Sequence, residues 1–385
     1  MNLKISIITI FFISSMSYSQ QLKTAVEKVD ALLAQQLLQP HVHHAFLTVD
    51  SDALDIHWNF TKGHFQNGTK VTNANPFLST SVAKTVTATL IMILQEEGKL
   101  DVEDRLSEYL SSEIMNGLHT FQGIDYSCEI RIKQLLQHTS GLPDYFVDAP
   151  TAGPTFMELL FIDAERFWQP LETLQFAKTK LQPHFPPGDG YHYSDTEYVL
   201  LGLLIEELTG KPLHDVYHEK IFAPLQMKQT YMHLRSKPTD SSTKNLAEVF
   251  ISDAEISAFK SLSADWAGGG IATTAQDLLK FHKALFEEKL ISKKGFRAMQ
   301  KWTEESFGLS YGYGLRKLDL KKLNPEFGKY SLIGHSGTTG SFMYFCPELQ
   351  VYLTGTFDQS DYQRTHVNFL MEVLTLLKQS SKKNK

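Results

Sequence analysis

The stretch FLSTSVAKTVTATLIMIL, residues 77–94, contains a lysine where a buried helix is predicted. Its apolar side chains surround the helix axis, which is typical of a helix packed on all sides. A lysine is rarely buried without a partner, and residues three apart share one helix face, so Lys84 lies beside Ser81. Two interpretations follow. Either burial lowers the pKa of Lys84 and it takes the Ser81 proton, or Ser81 caps the helix and Lys84 reaches solvent.

The Ser-x-x-Lys spacing alone is weak, because it occurs four times, at Ser81, Ser241, Ser257 and Ser380. Ser241 and Ser257 lie in polar, loop-like surroundings, and Ser380 lies in the basic C-terminal tail. Only Ser81 begins a long apolar helix. The position of this pair, rather than its spacing, makes it a candidate nucleophile and base.

The composition describes an ordinary globular protein with a sizeable core. The 385 residues are 42% hydrophobic and 21% charged. The formal net charge is -6 and no long basic stripe occurs, so we expect no nucleic-acid partner. Cys128 and Cys346 could pair in an oxidising compartment, but we favour two unpaired thiols.

The N-terminal end differs from the rest of the chain. In residues 1–19, Lys4 precedes a short apolar run and then small residues, a pattern typical of a secretory signal peptide. This run and all later segments are too short to span a membrane. We therefore expect an exported protein, periplasmic or secreted, whose domain covers residues 20–378. A basic tail follows at residues 379–385.

Strand-like patterns occur near both ends of the chain, and helical patterns lie between them. Strands are predicted at residues 45–52, 53–63, 311–320, 329–337, 340–347 and 350–358. Helices are predicted at residues 21–39, 82–94, 198–210, 273–292 and 369–379. These patterns predict an α+β fold, in which an antiparallel sheet built from both ends is flanked by helices. A large, mostly helical lobe, roughly residues 98–300, is inserted beside it.

Two further segments carry candidate chemistry. YHYSD brings the Tyr193 phenol near the Asp195 carboxylate at the start of a predicted helix. In HSGTT, Gly337 would let a substrate approach a strand edge, and the Thr338 N–H could face a developing oxyanion. Taken singly, the first segment is better explained by packing tyrosines, and the second could be a glycine-rich hairpin turn.

Together, in this order and at these intervals, the three segments resemble the serine β-lactamase and DD-peptidase family of penicillin-recognising serine hydrolases. The branch is the one that includes class C β-lactamases and related esterases. LLQHTSGLPDY (135–145) and AGGGIATTAQDLLKF (267–281) match as well, and the resemblance covers roughly residues 22–378. It implies the β-lactamase/transpeptidase-like fold.

The resemblance also implies an acyl-enzyme mechanism. Ser81 would be the acylated nucleophile, and Lys84 and Tyr193 would move protons as a coupled pair. Backbone amides of Ser81 and Thr338 would form the oxyanion hole. The implied substrate-binding positions are Asp195, His335, Ser336 and Gly337. No metal or cofactor is implied, the expected partner is a small-molecule or peptide substrate, and the oligomeric state stays open.

Two residues depart from the family pattern. Asp195 stands where the family usually has Asn, and an ionised Asp only accepts hydrogen bonds. It would also favour the charged form of Lys84. His335 stands where a lysine would bind a substrate carboxylate, and histidine is mostly neutral at pH 7. We therefore predict an esterase or an amidase/peptidase. The alternatives are a β-lactamase or DD-carboxypeptidase, and a ligand-binding or sensor protein without turnover.

Two competing motifs are set aside. Residues 308–312, GLSYG, match the nucleophile elbow of α/β-hydrolases, but that motif needs a strand before Ser310 and a helix after it. His41, His43 and His44 suggest a metal, but no matching ligand spacing follows downstream. We interpret the first motif as a chance match and the second as a surface cluster.

Overall fold

The computed structural model describes residues 20, 22–362 and 365–381. The predicted signal peptide and the last four residues of the basic tail lie outside the described residues. In these ranges, every helix is too short or too polar to cross a bilayer. Cys128 is exposed and Cys346 is buried, and both are free thiols.

The largest element is an eight-stranded antiparallel sheet in the order β10-β11-β12-β13-β14-β15-β1-β2. Two of its neighbouring strands come from opposite ends of the chain, since β1 pairs with β15 in the register Phe46 to Thr356. This confirms the predicted sheet built from both termini. The strands are β1 (His44–Ser51), β2 (Ile56–Gly63), β3 (Phe77–Leu78), β4 (Thr120–Phe121), β5 (Ile124–Asp125), β6 (Tyr231–Met232), β7 (Phe250–Ile251), β8 (Ala254–Glu255), β9 (Ile271–Thr273), β10 (Thr303–Ser306), β11 (Leu309–Tyr311), β12 (Arg316–Asp319), β13 (Ser331–Ser336), β14 (Phe342–Cys346) and β15 (Val351–Thr356).

Most of the helices lie between β2 and β10, as the sequence predicts. The helices are α1 (residues 22–36), α2 (Ala83–Glu96), α3 (Ser112–Met115), α4 (Ile132–Leu136), α5 (Phe156–Ile162), α6 (Pro170–Lys180), α7 (Asp195–Thr209), α8 (Leu213–Tyr217), α9 (Ala275–Phe286), α10 (Lys293–Met299), α11 (Leu320–Leu323) and α12 (His366–Ser381). Helix α9 begins after Thr274, whose hydroxyl accepts the Asp277 N–H at 3.2 Å, so Thr274 is the N-cap.

Some boundaries differ from the prediction for local reasons. The segment predicted as one strand at residues 311–320 is two strands, because Gly314 has a φ of 62° and the backbone turns between them. Helix α7 begins at Asp195, three residues before the predicted start, since its first turn is polar but buried.

Two large hydrophobic clusters and a smaller third one, formed by the described residues, hold these layers together. One large cluster surrounds α2 and α7, where Leu90 and Leu201 are fully buried. The other large cluster lies where α1 and α12 pack with the sheet, and it includes Leu33 and Leu353. Each fully buried side chain of this size stabilises the fold by about 1.5–3 kcal/mol. The turn before α2, the start of α7 and the end of β13 are thereby held close together.

Candidate active site

Ser81 lies in a 3₁₀ turn, Thr80–Val82, that leads directly into α2. The preceding residue, Thr80, has a φ of 43°, which is strained for a β-branched residue and costs of order 1–3 kcal/mol. Two contacts hold this turn: the Thr80 and Ser341 hydroxyls are 3.1 Å apart, and the Ser341 hydroxyl donates to the Ser79 carbonyl at 2.7 Å. The turn fixes Ser81 at the wall of a cavity.

Lys84 is fully buried beneath Ser81. Its Nζ lies 3.3 Å from Ser81 Oγ, donates to the Gly268 carbonyl at 3.0 Å, and forms a short ion pair with Asp195. A Cβ atom on Gly268 would lie 2.5 Å from Asp195 Oδ1, so this position has no room for a side chain. Lys84 is therefore enclosed by partners and does not reach solvent.

The ion pair reverses one expectation from the sequence. Burial alone lowers the pKa of Lys84. The Asp195 carboxylate, together with Tyr193 and Asp265, raises it by a larger amount, so the net shift of the pKa is upward. The interpretation in which burial leaves Lys84 neutral is therefore wrong. The resting lysine is an ammonium ion.

Tyr193 completes the group around the serine. Its hydroxyl is hydrogen-bonded to Ser81, and its ring centroid lies 5.0 Å from Lys84 Nζ. Burial raises the pKa of Tyr193 to about 12, against the lowering effect of Lys84, while Asp195 adds to the rise. The phenol is thus protonated at neutral pH. Ser81 and Lys84, predicted from one segment, and Tyr193, predicted from another, thus lie in one site.

Asp195 belongs to this site because it begins α7. Its neighbours anchor the helix start: the Ser194 and Thr196 hydroxyls donate to the Pro143 carbonyl at 2.8 and 2.6 Å. A carboxylate in the first helical turn also interacts favourably with the helix dipole. Asp195 is thus held as a permanent partner of Lys84.

The last predicted segment divides into two environments. Ser336, Gly337 and Thr338 line the cavity. A Cβ atom on Gly337 would lie 1.7 Å from Thr80 Oγ1, so only glycine lets the end of β13 approach the nucleophile turn. The approach of a substrate at this glycine stays a prediction.

His335 does not line the cavity, contrary to its predicted substrate-binding role. The fully buried ring lies with Nε2 2.9 Å from the Tyr311 hydroxyl and Nδ1 2.8 Å from the Ser336 carbonyl. Nδ1–H therefore donates to the carbonyl, and Nε2 accepts from Tyr311. Burial, followed by the charges of Arg316 and Lys84, lowers the pKa of His335 well below its usual range. His335 is a neutral packing residue beneath the site.

Sequence reasoning missed four charged residues of the cavity, which has a volume of about 1180 Å³. Asp144 and Asp265 face Lys84 and Asp195; burial, with Asp195 adding to it, raises the pKa of Asp265 to about 7 and that of Asp144 well above its usual range. The sequence signal for Asp144 was its position in the LLQHTSGLPDY segment, which matches the family pattern. Arg316, whose guanidinium carbon lies 5.5 Å from the Tyr193 ring centroid, is held by Glu305 through two 2.7 Å bonds.

The structure separates the competing motifs from this site. Ser310 lies inside strand β11, paired with Lys317 of β12, and no helix follows it, so the nucleophile-elbow geometry is excluded. His44 is buried and lies 3.0 Å from the Asp358 carboxylate, which corrects the predicted surface cluster, while His43 is exposed.

His138 and Glu197, two fully buried side chains, form a pair beside Tyr193. His138, whose ring centroid lies 4.2 Å from that of Tyr193, forms a short hydrogen bond through Nδ1 with Glu197. Burial raises the pKa of Glu197 well above its usual range and lowers that of His138 well below. The pair fixes the tyrosine loop without adding net charge to the site.

Comparison with known proteins identifies the family and the fold of this chain. Residues 35–368 match the family model described as Beta-lactamase. Penicillin-binding protein 4* of Bacillus subtilis (strain 168) is 26% identical over 274 residues, 67% of this chain and 54% of the relative. N-acetylmuramyl-L-alanine amidase of the same organism is 28% identical over 288 residues, 66% of this chain and 61% of the relative. The chain therefore spans between half and two thirds of these relatives.

Among solved structures, a D-amino acid amidase from Ochrobactrum anthropi SV3, in complex with D-phenylalanine, superposes with a TM-score of 0.75. It is 22% identical and covers 93% of this chain and 99% of its own, a likeness that shows the fold. With most of its length matched by the family model, the chain belongs to the Beta-lactamase family of serine hydrolases.

Proposed function

We propose that this protein hydrolyses an amide or ester bond through an acyl-enzyme on Ser81. The contact of the Ser81 hydroxyl with both Lys84 and Tyr193, on the wall of a large cavity, supports this proposal most directly. A nucleophilic serine needs a neighbouring group that accepts its proton and a third group that orients it.

The charges of Lys84 and Tyr193 support Tyr193 as the base in this mechanism. Lys84 stays an ammonium ion, so the base is the phenolate form of Tyr193, which Lys84 stabilises. Tyr193 accepts the Ser81 proton as the serine oxygen attacks the carbonyl carbon, and then donates it to the leaving amine or alcohol. Amides of Ser81 and Thr338 would hold the oxyanion. Water then releases the acyl group by the same route.

The cavity walls favour substrates without a carboxylate next to the scissile bond. His335 is neutral and turned away, Asp195 only accepts hydrogen bonds, and Arg316 is already paired with Glu305. Among the described residues that line the cavity, no unpaired lysine or arginine is therefore available to bind a carboxylate. We accordingly propose an esterase or amidase/peptidase with weak activity toward β-lactams.

A substrate panel tests this function. p-Nitrophenyl esters, D-amino-acid amides and nitrocefin are assayed with wild type, Ser81→Ala and Ser310→Ala. We expect hydrolysis of esters or amides, a loss of at least about 10³-fold in Ser81→Ala, and wild-type rates in Ser310→Ala. Nitrocefin hydrolysis at rates exceeding all esters and amides would contradict the substrate assignment.

We also propose that residues 1–19 direct export and are removed. The basic start and short apolar run support this. N-terminal sequencing of protein from a periplasmic or culture fraction should begin near residue 20. An intact N-terminus on cytoplasmic protein would contradict export.

A further inference from the structure

A cluster of two histidines and one aspartate lies at the edge of the cavity, apart from Ser81. The Nε2 atoms of His184 and His192 lie 2.8 and 3.0 Å from the same carboxylate oxygen, Oδ2 of Asp148. The two rings stack with their centroids 3.6 Å apart. All three donor atoms lie within 4.8 Å of one another.

The three residues come from separate segments whose backbones are held in place. The N–H of His184 donates to the Gly141 carbonyl at 2.9 Å, and the N–H of His192 donates to the His138 carbonyl at 3.0 Å. The Asp144 N–H donates to the Asp148 carboxylate at 2.8 Å. The donor set is thus supported by backbone bonds.

A second three-residue cluster among the described residues serves for comparison, because a lysine already occupies it. Asp50, Asp52 and His57 also bring their donor atoms together, but the Lys283 ammonium lies 2.8 Å from Asp50 and 2.9 Å from Asp52. That cluster already contains its cation. By contrast, no lysine or arginine pairs with Asp148 in the part of the chain that the structure describes.

We propose that Asp148, His184 and His192 bind one divalent transition-metal ion, with zinc as the best match. Two imidazoles and one carboxylate are a donor set that zinc prefers, and a fourth position would stay open to water. Zinc lies about 2.0–2.2 Å from such ligands, which separates them by roughly 3.3–3.5 Å. The donor atoms need to spread by only about half an ångström, and the half-exposed ring of His184 has room to turn.

The ring nitrogens that face Asp148 Oδ2 are the atoms that would bind the metal ion. Zinc would replace the ring protons that now face this carboxylate.

The position of the cluster would link a bound ion to the loop that carries Tyr193. His192 lines the cavity and directly precedes Tyr193. An ion here would join the tyrosine loop to the segments that carry Asp148 and His184. It would hold Tyr193 in place without contacting Ser81.

Zinc binding can be measured directly on protein without an affinity tag, since a polyhistidine tag binds zinc itself. After dialysis against a chelator, the protein is titrated with ZnCl₂ by isothermal calorimetry, and with CoCl₂ by visible absorption. The variants are Asp148→Asn and His184→Gln. The matched control is Asp52→Asn, which removes a carboxylate from the cluster that Lys283 fills.

We expect one zinc per chain, a visible cobalt spectrum, and a thermal midpoint that rises with zinc. Both cluster variants should weaken binding at least about 100-fold, more than the loss of an outer-shell partner, while Asp52→Asn binds like wild type. His184 is half-exposed, so His184→Gln is expected to fold even where Asp148→Asn does not. No stoichiometric zinc binding by wild type, or unchanged binding by His184→Gln, would overturn the proposal.

Discussion

Replacing Asp195 with asparagine should move the pH dependence of hydrolysis toward neutral pH. Asp195 is in contact with the buried ammonium of Lys84 and raises the pKa of both Lys84 and Tyr193. Asp195→Asn keeps the shape of the side chain and removes its charge. Both pKa values should therefore fall.

The structure sets the sign and the size of this change. The active form of the base is deprotonated Tyr193, so kcat/KM rises with pH toward the pKa of about 12. Asp195 has the same charge as the Tyr193 phenolate, and a charge within a few ångströms shifts a pKa by about 1–3 pH units, or about 1.4–4 kcal/mol. In Asp195→Asn the pKa of Tyr193 should fall to about 9–11, so its profile should bend before pH 10.5, whereas the wild-type profile should still rise there.

The assay measures kcat/KM from pH 6 to 10.5 with the best amide substrate, because amides resist spontaneous hydrolysis. Ser81→Ala provides the blank. Asp52→Asn, which removes an exposed carboxylate paired with Lys283, should keep the wild-type profile. An Asp195→Asn profile that rises in parallel with wild type to pH 10.5 would refute the role assigned to Asp195.

Three further substitutions test other parts of the site. Tyr193→Phe should lower kcat by about 10²–10⁴-fold, as measured with ester and amide substrates, because it removes the acid and base; an unchanged kcat would exclude Tyr193 from proton transfer. Gly337→Ala should destabilise the protein by about 1–3 kcal/mol in urea unfolding, because the new methyl meets Thr80 Oγ1; wild-type stability and activity would contradict that contact. His335→Lys should lower the free energy of unfolding at pH 7 by several kcal/mol, because Arg316 and Lys84 already repel a cation at this buried position. Part of this stability should return near pH 10, where the lysine of the unfolded chain loses its charge. A stable variant that gains nitrocefin hydrolysis would contradict this description of the site.

The elements of the fold could be predicted because their signals are local. Alternation marks β1 and β2, and an apolar helix marks α2, so the sheet built from both chain ends followed from the order of the segments. The split between β11 and β12 was missed because it depends on the backbone at Gly314, where the alternating pattern continues through a turn.

The site was predictable where chemistry follows a short spacing. Ser81 and Lys84 lie three residues apart, and Tyr193 lies just before a helix. The protonation state of Lys84 depends on contacts between distant segments, so burial alone gave the wrong direction. The inward position of His335 depends on its bond to Tyr311 of β11, two strands away in the sheet, and no spacing in its own segment encodes that bond.

The central claim is that Ser81 forms an acyl-enzyme, and mass spectrometry of the trapped protein tests it most directly. Wild type is mixed with a fluorophosphonate, and separately with a p-nitrophenyl ester, then quenched and mapped by peptide. We expect one adduct per chain, on Ser81, stable for the fluorophosphonate and released over time for the ester. An adduct on another serine would contradict the assigned nucleophile, and an ester adduct that is never released would mean a binding or sensor protein.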